Sequence, residues 1–278
     1  MHGIRRTPTL VTVVTLIVLL AAGCGSSSGS DGTQPTTRAT AGTSSATTAT
    51  APAGKITVAA AASLTEAFTQ IGKEFEAANP GTTVTFTFDS SGTLATQIAS
   101  GAPVDAFASA DAKNMDAVAK DPGIEGTPTA FARNRLVIVT KSGNPKGIEG
   151  LADLPTAGIV ALCATDAPCG KFAAQALDEA EVTIPESSVT RGQNAKATLA
   201  AVAQGDADAG IVYVTDAEAA GDAVATVTIP DDQNVVATYP VAVVAGTDQG
   251  DLAQAFVAYL SSDDAQKVLA EAGFLPPT

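Results

Sequence analysis

The chain has 278 residues, and its 15 Lys and Arg against 29 Asp and Glu give a net charge of −14. This length allows one large domain or two moderate ones. The acidity argues against nucleic-acid binding, which depends on Lys and Arg at phosphates. The single histidine, His2, lies in a segment that we expect to be removed. The mature chain therefore lacks the imidazole of Ser-His and Cys-His catalytic pairs, and we expect neither enzymatic activity nor a cofactor.

Residues 1–23 have the pattern of a bacterial signal peptide. Arg5 and Arg6 precede an apolar run over residues 10–22 that is too short to span a bilayer comfortably. The run ends in LLAAGC, which resembles a lipoprotein signal, in which the cysteine, here Cys24, is lipidated and becomes the mature N-terminus. The alternative is a cleaved signal with an incidental cysteine, and export by the general or the twin-arginine route stays open. We expect an extracytoplasmic chain that its lipid anchors to the outer face of the cell membrane.

Residues 24–54 are predicted to be a flexible tether. From residue 25 to 54, all but three residues are Gly, Ser, Thr, Ala or Pro. Such a segment buries too little apolar surface to offset the entropy that it would lose on ordering.

From residue 55 onward, strand patterns and helix patterns alternate. Residues 55–59 (KITVA) predict a strand, and the capping box SLTE at Ser63 predicts that a helix begins there. The same patterns predict further strands at 84–88, 104–109, 136–140, 158–162, 210–214 and 235–245, and further helices after Ser91, after Asp111 and at 172–180, 195–203 and 251–272. This alternation predicts an α/β fold with mostly parallel sheets flanked by helices. Ligands of such folds bind beyond the carboxyl ends of the strands, where the Ser-rich turns lie.

Several motifs in this part resemble those of the periplasmic molybdate-binding proteins of ABC importers, in the same order and spacing. They are residues 56–64 (ITVAAAASL), 90–94 (SSGTL), 101–107 (GAPVDAF), 210–213 (GIVY), 215–217 (TDA) and 239–244 (YPVAVV). The resemblance extends from about residue 55 to residue 274.

The resemblance implies the two-lobed periplasmic-binding-protein fold of type II, with the ligand cleft between the lobes. The implied crossovers lie near residues 134–135 and 237–238. Residues 55–134 and 239–278 would then form the first lobe, and residues 135–238 the second. The implied function is capture of molybdate, and also of tungstate, for delivery to an ABC permease. We expect a monomer, with molybdenum held only inside its oxyanion and no direct bond between protein and metal.

The family's oxyanion contacts carry over to five positions. Hydroxyl donors would be Ser63, Ser91 and Tyr213, and backbone N–H donors would come from Ser63, Ser91, Cys169 and Ala195. A fully deprotonated tetrahedral dianion only accepts hydrogen bonds, so a site with donors and no carboxylate suits it. Structural alternatives exist: Ser63 could cap its helix, Ser91 could belong to a turn, and Tyr213 could be a core residue.

Cys163 and Cys169 remain once Cys24 is lipidated. Since they lie close together in an extracytoplasmic chain, we hypothesise a disulfide that braces the loop presenting the Cys169 amide. The alternative is a pair of buried free thiols.

Three rival functions stay open. A receptor for sulfate or another tetrahedral oxyanion would use the same donors, because selectivity depends on the cavity radius. An enzyme on this fold would need an acidic residue or a lysine in the cleft. A surface scaffold would account for the tether but not for the Ser-led helix starts.

Overall fold

The computed structural model describes residues 52–278, so the predicted signal peptide, the lipidated Cys24 and most of the tether lie outside the described residues. The strands are β1 (Gly54–Ala61), β2 (Thr82–Asp89), β3 (Ala106–Ala108), β4 (Ile124–Lys141), β5 (Val160–Cys163), β6 (Val189–Gly192), β7 (Ala209–Tyr213), β8 (Val224–Thr228) and β9 (Val236–Val244). The α-helices are α1 (Thr65–Ala78), α2 (Ser91–Ala99), α3 (Ala112–Val118), α4 (Pro168–Glu179), α5 (Ala195–Ala203), α6 (Val214–Ala220), α7 (Gly250–Tyr259) and α8 (Asp263–Glu271). Within this range, none of the helices combines the length and the apolar character needed to cross a membrane.

The strands form one continuous sheet that consists of two halves. Its order is β2-β1-β3-β9-β4-β7-β5-β6, and β8 pairs with β4 outside this path. We call β2, β1, β3 and β9 the first half-sheet, and β7, β5, β6 and β8 the second half-sheet. Strand β4 joins them, because its residues up to Arg135 pair with β9 and those from Leu136 onward pair with β7.

The sheet is mixed, so the expectation of mostly parallel sheets is wrong for its central strands. The outer pairs β1–β2, β1–β3, β5–β6 and β5–β7 are parallel. All pairs that include β4 or β9 are antiparallel. The chain leaves the first half-sheet along β4 and returns along β9, and two neighbouring strands that carry the chain out and back must run in opposite directions.

Apolar residues at helical spacing on α1 pack against the first half-sheet. The Phe68 ring lies 5.5 Å from that of Phe131 on β4 and 6.1 Å from that of Phe256 on α7, measured between ring centroids. Phe75, two turns further along α1, contacts the same Phe256 ring at 5.4 Å. Buried aromatic pairs of this kind contribute beyond their buried area. They fix α1 on the sheet, and with it the turn that contains Ser63.

Several elements differ from the predictions. Strand β4 begins twelve residues before the predicted 136–140, because pairing with β9 outweighs the weak strand propensity of its polar, Gly- and Pro-containing first part. Strands β6 and β8 and helix α6 were not predicted, since they are short and α6 follows β7 with no intervening turn. The predicted helix 251–272 is two helices, and Ser262 caps the second by accepting a hydrogen bond from the Ala265 N–H at 3.3 Å.

Candidate functional site

One small cavity lies where the two half-sheets meet, beyond the carboxyl ends of six strands. Its volume is about 10 Å³, close to the space that one water-sized group needs. All five residues predicted to contact an oxyanion line it. The full lining is Ala61, Ala62, Ser63, Asp89, Ser90, Ser91, Ala110, Pro168, Cys169, Asn194, Ala195 and Tyr213.

Ser90 and Ser91 have different roles although they are adjacent. The Ser90 side chain caps α2 by accepting a hydrogen bond from the Thr93 N–H at 3.1 Å. Ser91, whose surface is 1% exposed, accepts a hydrogen bond at its Oγ from the Ala110 N–H at 2.9 Å. A serine hydroxyl that accepts one hydrogen bond still has its own proton to donate. Ser91 is therefore placed to donate into the cavity.

Ser63 does not cap α1, so the capping-box interpretation is wrong. A 3-10 turn over Ala62–Leu64 precedes the helix, the N-cap residue is Leu64, and no side chain caps that end. The tighter turn directs the Ser63 hydroxyl towards the sheet, where Ser63 Oγ lies 2.8 Å from the hydroxyl oxygen of Tyr239. Ser63 is thereby held at the cavity wall through a side-chain hydrogen bond with β9.

The Tyr213 hydroxyl is buried at the end of β7, where its ring packs against that of Tyr239 at 6.0 Å between centroids. The Tyr239 hydroxyl influences it electrostatically, but no group within the described part of the chain meets it with hydrogen-bond geometry. Burial raises the pKa of Tyr213 well above its ordinary value of 10, so the phenol stays protonated and can donate. A buried hydroxyl without a partner costs about 1–3 kcal/mol. An acceptor bound in the cavity would remove that cost.

Two further donors are backbone amides in the first turns of helices. Cys169 is the second residue of α4, after Pro168, and Ala195 is the first residue of α5. Amides in these positions have no carbonyl partner within their own helix, and the helix dipole places partial positive charge there. Anions bind readily at such helix starts.

The loop before α4 is held tightly where it presents the Cys169 amide. Cys163 at the end of β5 and Cys169 form a disulfide. A Cβ atom on Gly170 would lie 2.1 Å from the Ala164 carbonyl oxygen, so only glycine allows this close approach. The position of the Cys169 N–H is thus fixed by both a covalent and a steric constraint.

Sequence reasoning missed two polar residues that line the cavity, Asp89 and Asn194. Asp89 Oδ1 accepts hydrogen bonds from the Ser90 N–H at 2.7 Å and from Asn194 Nδ2 at 3.0 Å. Asn194 Oδ1 caps α5 by accepting from the Ala197 N–H at 3.0 Å. The expectation of a site with no carboxylate is therefore wrong, although this carboxylate already accepts two hydrogen bonds. An asparagine directly before a predicted helix is typical of an N-cap, and this signal could have revealed Asn194.

The Asp89–Asn194 hydrogen bond joins the two half-sheets across the cavity, and two ion pairs do the same. Lys196 on α5 pairs with Glu66 on α1. Lys171 Nζ on α4 lies 3.8 Å from the carboxylate of Asp111, the N-cap residue of α3. These contacts link elements that lie on the two sides of the cavity.

A buried carboxyl group, Asp216, lies behind Tyr213. Its Oδ2 accepts a hydrogen bond from the Tyr213 N–H at 3.3 Å, and its Oδ1 has no partner among the described residues. Burial raises the pKa of Asp216 from 3.8 to about 7, although Lys196 acts in the opposite direction. The folded protein therefore favours the protonated form of this group.

Comparisons with known proteins agree with this geometry. A sequence profile of the family described as bacterial extracellular solute-binding protein matches residues 56–275. The molybdate-binding protein ModA of Mycobacterium tuberculosis (strain H37Rv) is 42% identical over 226 residues, which cover 81% of this chain and 86% of that protein.

Two solved structures share the fold. The periplasmic molybdate-binding protein of Azotobacter vinelandii has a TM-score of 0.72 at 20% identity, covering 80% of this chain and 100% of that one. The sulfate-binding protein SubI of Mycobacterium tuberculosis H37Rv also has a TM-score of 0.72, at 24% identity, covering 80% of this chain and 86% of that one. At such identities the likeness establishes the fold alone. The likeness confirms the predicted α/β fold of periplasmic binding proteins.

Asp216 predicts a dependence of stability on pH. Because the folded state holds a proton on Asp216 up to about pH 7 and the unfolded state releases it near pH 4, the free energy of unfolding falls as the pH rises through this range. In Asp216→Asn this contribution is absent. Between pH 5 and pH 8, the free energy of unfolding of the wild type, measured by urea unfolding, should fall by about 2 kcal/mol more than that of the variant. Asp222→Asn, at an exposed position, is the control and should follow wild type. Parallel curves for wild type and Asp216→Asn would contradict the assignment.

Proposed function

The chain belongs to the bacterial extracellular solute-binding proteins, and we propose that it is the receptor that captures molybdate, and also tungstate, for the permease of an ABC importer. It is a solute-binding component of transport and not an enzyme. The 42% identity to proteins named molybdate-binding protein ModA supports molybdate as the ligand.

The observation that carries the proposal is the convergence of hydrogen-bond donors on one small cavity between the half-sheets. The hydroxyls of Ser91 and Tyr213 have protons that no other described group accepts. The amides of Cys169 and Ala195 start helices at the same cavity. Molybdate at neutral pH is a dianion with four acceptor oxygens, and it would give each of these donors a charge-assisted hydrogen bond. Ser63 lines the same cavity.

Binding would hold the two lobes together. The change of partner along β4 at Arg135 supports lobe boundaries near residues 134–135 and 237–238. Ser63 and Ser91 then belong to one lobe, and Cys169, Ala195 and Tyr213 to the other. An oxyanion that bonds to both sets bridges the cleft. Closure would create the surface that the permease recognises, and a monomer suffices for this role.

A receptor for sulfate is the second candidate. Sulfate is also a fully deprotonated tetrahedral dianion, and the sulfate-binding protein SubI shares the fold with a TM-score of 0.72. The donors alone do not distinguish the two anions. The S–O bond is shorter than the Mo–O bond, so the cavity radius decides between them.

A ligand panel tests the function directly. Thermal unfolding of the purified protein is compared with molybdate, tungstate, sulfate and phosphate at equal concentrations. A ligand at a hundred times its dissociation constant should stabilise the fold by about 2.7 kcal/mol. We expect molybdate and tungstate to raise the melting temperature, with sulfate and phosphate producing little change. A larger shift with sulfate would favour the second candidate, and no shift with any anion would contradict an oxyanion receptor.

The lipid anchor at Cys24 is a separate part of the proposal. The sequence LLAAGC and the tether that follows support it. In cells, Cys24→Ser should move the protein from the membrane fraction into the soluble extracytoplasmic fraction, because the acyl chains that hold it are attached to this cysteine. Its affinity for the ligand should not change. A Cys24→Ser protein that still sediments with membranes would contradict the anchor.

A further inference from the structure

A chain of buried polar side chains runs from the cavity to the strands that join the half-sheets. Ser63 Oγ lies 2.8 Å from Tyr239 Oη on β9, and Tyr239 Oη lies 3.5 Å from Asn134 Nδ2 on β4. Asn134 Nδ2 also donates to Thr215 Oγ1 on α6 at 2.9 Å. All four side chains are buried, and Asn134 and Tyr239 have no exposed surface. Of these four side chains, only that of Ser63 lines the cavity.

The orientation of the Asn134 amide is fixed by the backbone beside it. Asn134 Oδ1 accepts a hydrogen bond from the Arg135 N–H at 2.9 Å. The amide nitrogen therefore faces Tyr239 and Thr215, and a nitrogen of this kind can only donate. The distance from Asn134 Nδ2 to Tyr239 Oη is long for a hydrogen bond. The amide nitrogen nevertheless presents positive partial charge to that oxygen, and electrostatic interactions are strong in a buried environment.

The direction of the Ser63–Tyr239 hydrogen bond follows from this. Tyr239 has one proton, and burial raises the pKa of Tyr239 above its ordinary value, so the proton is retained. Since its oxygen faces the Asn134 donor, its proton is left for Ser63 Oγ. Ser63 then accepts from Tyr239, and its own proton is free to point into the cavity.

We propose that Tyr239, oriented by Asn134, is a positioning residue that makes Ser63 a hydrogen-bond donor to the bound oxyanion. This inference rests on the proposed function. Without Tyr239 the Ser63 hydroxyl would have no fixed partner on the protein side, and its proton could turn away from the ligand. Tyr239 does not itself line the cavity, but it contacts two residues that do: Ser63 by the hydrogen bond and Tyr213 by ring packing at 6.0 Å between centroids. The Ser63→Ala background therefore has to isolate the route through Ser63.

Ser91 provides an internal comparison. Its Oγ accepts from the Ala110 N–H, a backbone donor that is independent of Tyr239. The same principle, a donor behind each serine that leaves the serine proton for the ligand, thus occurs twice with different partners. Removing Tyr239 should affect the contribution of Ser63 and leave that of Ser91 intact.

The test is a pair of double-mutant cycles in which the dissociation constant of molybdate is measured by calorimetry. Tyr239→Phe should weaken binding about 3- to 10-fold, the effect of one lost hydrogen bond. Ser63→Ala by itself should weaken binding about 10- to 100-fold. Adding Tyr239→Phe to Ser63→Ala should cause no further loss of affinity. Combined with Ser91→Ala, Tyr239→Phe should retain its full effect. Tyr259→Phe, a partly buried tyrosine that packs against Phe75 away from the cavity, is the matched control and should bind as wild type does.

A second variant covers the case in which Tyr239→Phe does not fold. Asn134→Asp keeps the shape of the side chain but offers Tyr239 an acceptor, which would draw the tyrosine proton away from Ser63. Asn134→Asp should weaken binding in the wild-type background and have no effect in the Ser63→Ala background. A general effect of the buried charge would weaken binding in both backgrounds.

The outcomes separate this inference from the proposed function. Wild type that binds no molybdate would overturn both. Wild type that binds, with an unchanged affinity in Tyr239→Phe, would overturn the positioning role alone. An equal loss in the Ser63→Ala and Ser91→Ala backgrounds would do the same, since it would mean that Tyr239 acts by another route.

Discussion

Buried hydrogen-bond donors must find acceptors, and the site depends on this constraint. The fold brings the hydroxyls of Ser91 and Tyr213 and two helix-start amides to one small cavity. Each donor left without an acceptor costs free energy in a buried setting. A small anion with acceptors on all sides resolves the cost at once. The same constraint excludes a ligand whose own donors would face these groups.

The elements of the fold serve to bring these donors together from distant parts of the chain. Strands from both half-sheets end at the cavity, and the antiparallel strands β4 and β9 are the structural link between them. The polar contacts that cross the cavity, Lys196 with Glu66 and Asn194 with Asp89, join the two sides near the ligand position. The first-turn amides of Cys169 and Ala195 explain how a strongly acidic chain can bind an anion, since the local field comes from dipoles and not from net charge.

Much of this site could be predicted from the sequence, and the failures have physical causes. The resemblance to molybdate-binding proteins led to Ser63 and Ser91, the Ser-rich turns after strands agreed with it, and both residues line the cavity. The capping role assigned to Ser63 failed because a 3-10 turn before α1 is a tertiary feature that a capping box does not reveal. Asp89 and Asn194 were missed because each is explained locally, by a strand end and a helix cap, while their contact spans 105 residues. The chain through Tyr239 and Asn134 is likewise visible only once β4 and β9 are paired.

A crystal structure of the protein with molybdate, with molybdenum located by its anomalous scattering, tests the central claim most directly. We expect one molybdenum position in the cavity. Oxyanion oxygens should lie about 2.7–3.2 Å from Ser63 Oγ, Ser91 Oγ, Tyr213 Oη and the amide nitrogens of Cys169 and Ala195. Molybdenum at another place, or a cavity in which the Tyr213 hydroxyl still lacks a partner, would contradict it.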